Sequence, residues 1–454
     1  MILAVVAVAL VVGGATVAIV ASNNNKGGES TNVGAALPVY GNADLDADID
    51  GDDLNIINKI INKDSGYTIA AYPFADANKD GTIDSKDADV VKKIMNKETT
   101  KVYHLNYYND GAFNVKTKVA DTKWPCEDLM VTYNSIMFTM ASLGLDEKVV
   151  GATSAGKNNF DTTMYAKMMK DVEPLTVSYD AQWNGSLDTS SISAVMTKYK
   201  DAHTVFVSGY GQYDAYNESA IEALGCDVVR ICESNASRNE TLASVLLTGF
   251  LTNTLDKAKE LTKMYAEIWD ECDKIAKTLP GDDKEGFVVV VSTPDTCAGT
   301  SNQHNYKCQL AGGSSVVGND SLNINTWILE DEYNKKIDKI LYIVWSNDNN
   351  GHFFGNTVKS DKLIKDFTQH EMKVGDDSVW TLTDAWEKKE VYFVYGDFPT
   401  AMDILLRGYA MYPDYYGDLY NECIDKLLSM ISDGEFKGKG LQFVYSLEEL
   451  EKKN

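Results

Sequence analysis

Ala258-Lys-Glu-Leu261-Thr-Lys-Met-Tyr265-Ala-Glu-Ile268-Trp-Asp-Glu-Cys272-Asp-Lys-Ile275-Ala-Lys-Thr-Leu279 is the stretch on which the fold turns. Its apolar residues recur at alternating spacings of three and four, the period of one helix face, and the stripe spans about 30 Å at the helical rise. Pro280-Gly281-Asp282-Asp283 ends it. On either side, apolar runs of strand length alternate with helical patterns. Leu129–Tyr133, Lys148–Thr153, Thr204–Ser208 and Asp227–Ile231 precede the helix; Phe287–Ser292, Lys339–Trp345 and Glu390–Tyr395 follow it. Several are unbroken rather than alternating, as parallel strands covered on both faces are. The expectation is α/β: two parallel-sheet lobes joined by a long rigid helix. A core helix inside one domain is the other reading of the stripe.

The chain has 454 residues, too many for one ordinary core, and its 44 % hydrophobic and 24 % charged residues are globular values. A net charge of −25, with only Arg230, Arg238 and Arg407 as arginines, repels phosphate backbones and excludes nucleic acid as a partner. Seven cysteines without a CxxC pair read as scattered buried thiols; a Cys297–Cys308 disulfide is the alternative. Met1 to Ala21 carries no charge and spans about 31 Å as a helix, enough to cross a bilayer core. A retained transmembrane anchor is favoured over a cleaved signal, and either exports the rest of the chain. The predicted division is 1–21 anchor or signal, 22–37 flexible linker, 38–100 calcium module, 101–237 first lobe, 238–283 linking-helix region and 284–454 second lobe.

Two stretches 34 residues apart share one pattern. Asn42-Ala-Asp44-Leu-Asp46-Ala-Asp48-Ile49-Asp50-Gly-Asp-Asp53 leads into Ile56, Ile57, Ile60 and Ile61 at helical spacing. Asp76-Ala-Asn78-Lys-Asp80-Gly81-Thr82-Ile83-Asp84-Ser-Lys-Asp87 leads into Val90, Val91, Ile94 and Met95. Oxygens at loop positions 1, 3, 5 and 12, with the position-7 carbonyl (Asp48, Thr82), wrap a hard cation, and glycine at position 6 allows the bend. Two calcium sites follow, the second stronger because Asn42 and Ala47 depart from the pattern in the first. Ile49 and Ile83 should tie the loops together as a short strand pairing. Aspartate at position 12 and one helix per loop resemble a dockerin, which implies a cohesin-type domain as partner.

From Lys101 onward the chain resembles the solute-binding proteins of iron-siderophore and cobalamin ABC importers. The residues that carry the resemblance are Ser142-Leu-Gly-Leu-Asp-Glu-Lys-Val-Val-Gly-Ala-Thr-Ser154, Ile192 to Ser208, Ala220 to Val229, Ala258 to Tyr265, Leu310-Ala-Gly-Gly313, Ile337 to Tyr342 and Tyr409 to Tyr415. The resemblance implies two lobes, a ligand held between them, and a permease that docks on acidic residues. Glu330-Asp331-Glu332 suits the second lobe; on the first, only Asp188 lies near the expected place.

In such folds ligands lie beyond the carboxyl ends of the strands. Tyr133, Tyr210, Tyr213, Trp345 and His352 are the ligand candidates there, with rings suited to an iron-siderophore, haem or corrinoid. His304 is a further possible ligand to an exposed metal. No GxSxG, HExxH, P-loop or placed GxGxxG occurs, so no catalytic role is expected. The leading expectation is a membrane-tethered extracytoplasmic protein that captures a metal chelate for an ABC importer. Its rival is an interaction protein of a cell-surface assembly.

Overall fold

The computed structural model describes residues 33–109, 113–153, 168, 171–181, 184–209, 215–279, 284–291, 294–323, 326–344, 360–369, 373–396, 398–438 and 440–453. They fall into two compact units, one drawn from 33–153 and 171–266, the other chiefly from 267–453. The apolar run 1–21 and the helix stop 280–283 lie outside the described residues, among which no helix is long and apolar enough to cross a membrane.

The first unit opens with two short helices, α1 (Gly51–Ile61) and α2 (Ser85–Met95). Asp50 and Asp84 cap them by accepting the N–H two residues on. Asp53 and Asp87, at the third helical position, accept the cap residue's own N–H. The aspartate that closes each acidic loop therefore also starts each helix. One expectation fails: among the described residues no β-bridge joins Ile49 to Ile83. The halves meet through side chains instead. Ile49, Ala77 and Val91 close around Gly41, whose φ of +110° suits glycine alone.

After α2 comes a long hairpin, β1 (Thr100–Asn109) and β2 (Val115–Trp124), paired antiparallel along its whole length. Val39 bridges His104 on the other edge of β1, and Tyr40 and Phe74 share an apolar cluster with Leu105. The end of the expected linker is not loose. Leu37 is fully buried, and Arg238 Nη1 donates to the Gly34 carbonyl.

His104 is wholly buried, with Nε2 in a 2.9 Å hydrogen bond to Thr122 Oγ1 and no partner for Nδ1. Burial lowers its pKa to about 4. The unfolded chain takes up the proton near the ordinary histidine value, so stability is complete above that value and is lost as pH falls toward 4. By pH 4.5 the loss from this residue should reach about 2 kcal/mol. Denaturant titrations at pH 7 and 4.5 on wild type and His104→Gln check this. The variant should lose less on acidification, and equal losses would contradict the assignment.

β3 (Leu129–Val131), β4 (Val149–Thr153), β5 (Glu173–Leu175), β6 (Thr204–Ser208) and β7 (Asp227–Ile231) form a parallel sheet in the order β5-β4-β3-β6-β7. Every residue of β4 and β6 is buried, which is why those runs do not alternate. Helices α3 (Asn134–Ser142), α4 (Thr189–Lys198) and α5 (Arg238–Leu251) accompany it. The quoted stripe lies in α6 (Leu255–Thr278), which belongs to the first unit up to Ala266 and to the second from Glu267. Ala258, Leu261, Tyr265, Ile268 and Cys272 are buried along it.

In the second unit β8 (Gly286–Val291), β9 (Ser314–Ser315), β10 (Lys339–Val344) and β11 (Val391–Tyr395) run parallel, β8 pairing with both β9 and β10, and β10 with β11. β12 (Val444–Ser446) closes one edge antiparallel to β11. All seven expected strands are present. The Cys297–Cys308 disulfide is not: both are buried thiols, and burial pushes the Cys308 thiol up to about 12.

Candidate functional site: two strand ends and two acidic loops

β3 occupies the middle of the first sheet, and the chain winds outward from it in both directions. The connections that follow β3 and β6 therefore part at a topological switch point, where open parallel sheets bind ligands. Val131 pairs with Phe206, and the Thr132 N–H donates to the Phe206 carbonyl at 3.1 Å, so the two connections leave the sheet side by side. Tyr133 stands on the first as the half-buried N-cap of α3. The second carries Tyr210 and Tyr213, which lie outside the described residues; its far end, Tyr216, is well exposed.

Arg230 was missed as a site residue because it reads as one of three spare cations. Its signal was a charge inside the apolar run Asp227-Val-Val-Arg-Ile231. It is buried in β7, with Nη1 donating to the Ser208 carbonyl (3.1 Å), Nη2 to the Ala215 carbonyl (2.7 Å) and Nε to Glu218 Oε2 (2.5 Å). One guanidinium thus fixes both ends of the connection after β6. Glu233, two residues past β7, is also buried and accepts from Thr139 Oγ1 at 2.8 Å; burial pushes its carboxyl up to about 8.

In the second unit Trp345 follows β10 directly in the chain, but it and His352 lie outside the described residues. His304 is corrected. It is buried in α7 (Gln303–Leu310), with Nδ1 2.9 Å from Arg407 Nη2, and is not exposed to take an external metal. Burial, then the cations of Arg407 and Lys307, hold it well below the usual histidine range. Beside it Lys307 Nζ meets Asp403 Oδ2 at 2.6 Å and Arg407 Nη1 meets Asp403 Oδ1 at 3.1 Å, all within the protein interior. Glu330, Asp331 and Glu332 are exposed, and Asp188 caps α4.

The acidic loops repeat one hydrogen-bond plan. Position 3 accepts the N–H of position 5: Asp46 to Asp44 Oδ1 (3.1 Å) and Asp80 to Asn78 Oδ1 (2.8 Å). Position 5 accepts the N–H of position 7: Asp48 to Asp46 Oδ1 (2.9 Å) and Thr82 to Asp80 Oδ1 (3.0 Å). Position 12 accepts the N–H of position 3: Asp44 to Asp53 Oδ1 (3.2 Å) and Asn78 to Asp87 Oδ1 (3.1 Å). The loops differ at position 1. Asn42 turns its amide nitrogen onto the carbonyls of Leu37 and Asp46, both at 2.9 Å. Asp76 receives the Gly81 N–H on Oδ2 (3.1 Å) and keeps Oδ1 buried without a partner. Asp48 gives its side chain to Lys259 of α6, leaving its main-chain carbonyl for position 7.

Burial first, and then the charges of Asp48, Asp44 and Asp50, push Asp46 up to about 7. Burial followed by Asp44 raises Asp53 as well. Among the described residues no three His, Cys, Asp or Glu side chains converge as a metal site.

No protein-family model matches the sequence, nor does any curated relative. Solved structures match in fold. The TroA-like periplasmic binding protein FepB of Veillonella parvula has a TM-score of 0.56 at 15 % identity, over 73 % of this chain and 97 % of its own. This chain has the fold of the TroA-like binding proteins. A second periplasmic solute-binding protein from Veillonella parvula DSM 2008 gives 0.50 at 14 % identity, over 73 % of this chain and 93 % of its own. The molybdate-binding MolA of Haemophilus influenzae gives 0.50 at 15 %, over 69 % and 96 %.

Proposed function

We propose that the chain is an extracytoplasmic solute-binding protein that captures a metal chelate, an iron-siderophore, haem or corrinoid, for an ABC importer. The observation that carries this is the strand order β5-β4-β3-β6-β7, which makes a topological switch point of the adjacent strands β3 and β6, followed in the chain by Tyr133 and by Tyr210 and Tyr213 respectively. The fold shared with the periplasmic binding proteins supports it. Trp345 and His352 are the remaining proposed ligand residues. The run 1–21 tethers the chain, and Glu330, Asp331, Glu332 and Asp188 face the permease.

Calcium occupies both acidic loops in this reading. Asp76, Asn78, Asp80, Thr82 and Asp87 hold it more firmly than Asn42, Asp44, Asp46, Asp48 and Asp53. Asp76 Oδ1 supports the fit, a buried carboxylate oxygen with no other partner, and so does mutual repulsion among carboxylates that a divalent cation would relieve. A cohesin-type partner rests on the loop motif alone.

The ligand site is tested by titrating iron-siderophores, haem and corrinoids into the full chain in millimolar calcium while following tryptophan fluorescence. One class should bind at micromolar strength or better. Tyr210→Ala and Trp345→Ala should each weaken it about thirtyfold, the loss of one buried aromatic anchor. If both variants bind unchanged, these residues do not hold the ligand.

A further inference from the structure

The two acidic loops sit in unlike surroundings. In the second, Lys79, Asp80, Gly81 and Thr82 are exposed, and a Cβ on Gly81 would meet nothing within 4 Å. In the first, none of Leu45 to Ile49 is exposed, and Ala47, which stands where the second loop has Gly81, is fully buried. The segment before the first loop is seated with it. The Leu37 N–H donates to the Asp46 carbonyl at 2.7 Å, which also accepts from Asn42 Nδ2. Gly34, at φ +89°, brings this segment onto α6, where a Cβ in its place would meet Ala266 Cβ at 3.2 Å. Two turns earlier on the same face of α6, Lys259 Nζ pairs with Asp48 Oδ2. The Lys259 and Asp48 side chains are only 18 % and 17 % exposed. The second loop has a lysine of its own, Lys86, with Nζ 3.2 Å from Asp80 Oδ2, but its side chain is 69 % exposed. A solvated pair of that kind holds little.

We propose that Lys259 is a tethered cation that holds the first acidic loop in shape and seats it on α6, so that only the second loop depends on calcium for its conformation. The inference rests on the calcium reading for the second loop alone; Lys259 and Asp48 meet whether or not an ion is present. Carboxylates gathered in a loop repel one another until a positive charge comes among them. In the second loop that charge must come from solution. In the first it arrives on a helix 211 positions further along the chain, and a chelator cannot remove it. The Gly34 carbonyl on Arg238 Nη1 (3.2 Å) and the Leu37 N–H on Asp46 then fasten the entering segment beside the same helix. The module is thereby part of the first lobe at its first loop and answers to the ion at its second.

Hydrogen exchange on the full chain, in chelator and in millimolar calcium, tests this. In chelator the wild type should keep peptides covering 33–48 protected, while 76–84 should exchange about tenfold faster than in calcium. Lys259→Met should speed exchange at 33–48 about tenfold in chelator, and Lys259→Arg, which keeps the cation, should not. Asp48→Asn should match Lys259→Met, and the double variant should be no worse than either, the mark of a direct pair. Peptides covering 204–208 in β6 are the control for an intact fold; should Lys259→Met disturb them, Asp48→Asn decides. Opening of 33–48 in the wild type on chelation, protection retained in Lys259→Met, or additive losses in the double variant would each overturn the tethered cation. Exchange at 76–84 that ignores calcium would overturn the calcium reading of the second loop, and leave the part played by Lys259 to the measurements in chelator.

Discussion

Asp403→Ala is expected to cost the second unit about 3–5 kcal/mol, because it strands two buried cations. Lys307 and Arg407 both rely on that carboxylate, and all three side chains are at most 1 % exposed. Burial pulls the Lys307 ammonium below its usual range, and Asp403 is the main group opposing that shift. A neutral His304 leaves the cluster with one positive charge in excess, so removing Asp403 leaves two cations and no anion. Domains are stable by only about 5–15 kcal/mol, so the loss would bring the unit near its unfolding threshold. Replacing the set with Lys307→Met, Asp403→Leu and Arg407→Met should cost far less, as apolar side chains carry no desolvation debt. Urea unfolding followed by tryptophan fluorescence compares the two. A loss below about 1 kcal/mol for Asp403→Ala would mean the cluster is open to water.

Removing calcium should have an effect of similar size in the first unit. An ion present at a thousand times its Kd contributes about 4 kcal/mol to the state that binds it. Chelation should therefore lower the melting temperature of the first unit by many degrees and leave the second unit's transition in place. Asp80→Ala should reproduce most of that loss and Asp46→Ala less, since the second loop has a carboxylate at position 1 where the first has Asn42. The full chain is the proper material, because Tyr40 and Phe74 complete their packing on Leu105 of β1. Calorimetric melts with and without chelator supply the comparison. A chelator-insensitive melt would remove calcium from the account.

The parallel strands were legible because burial on both faces forces unbroken apolar runs such as Thr204-Val-Phe-Val-Ser208. α6 was legible because one face is buried and the other wet, which writes the 3-4 spacing into the chain. The hairpin β1–β2 was not. His104, Leu105, Asn106 and Tyr107 are buried in succession, so the alternation that marks a strand is lost where both faces are covered. Polar residues buried by distant partners were equally hidden. Asp403 pairs with Lys307 across 96 positions, and Arg230 takes its meaning from Ser208, Ala215 and Tyr108. His304 looked available as a metal ligand because nothing nearby in sequence announces Arg407. The helix starts after the acidic loops were legible because each cap is local, Asp50 with Asp53 and Asp84 with Asp87, whereas the pairing expected of Ile49 with Ile83 did not form.

The central claim is capture of a metal chelate by a calcium-loaded binding protein. Native mass spectrometry of the full chain, after exposure to calcium and to iron-siderophores, haem and corrinoids in turn, addresses it directly. The account predicts one chelate class retained at one copy per chain together with bound calcium, both released on unfolding. A chain that emerges bare of every chelate, with its calcium in place, would contradict the transport reading and leave the surface-assembly rival standing.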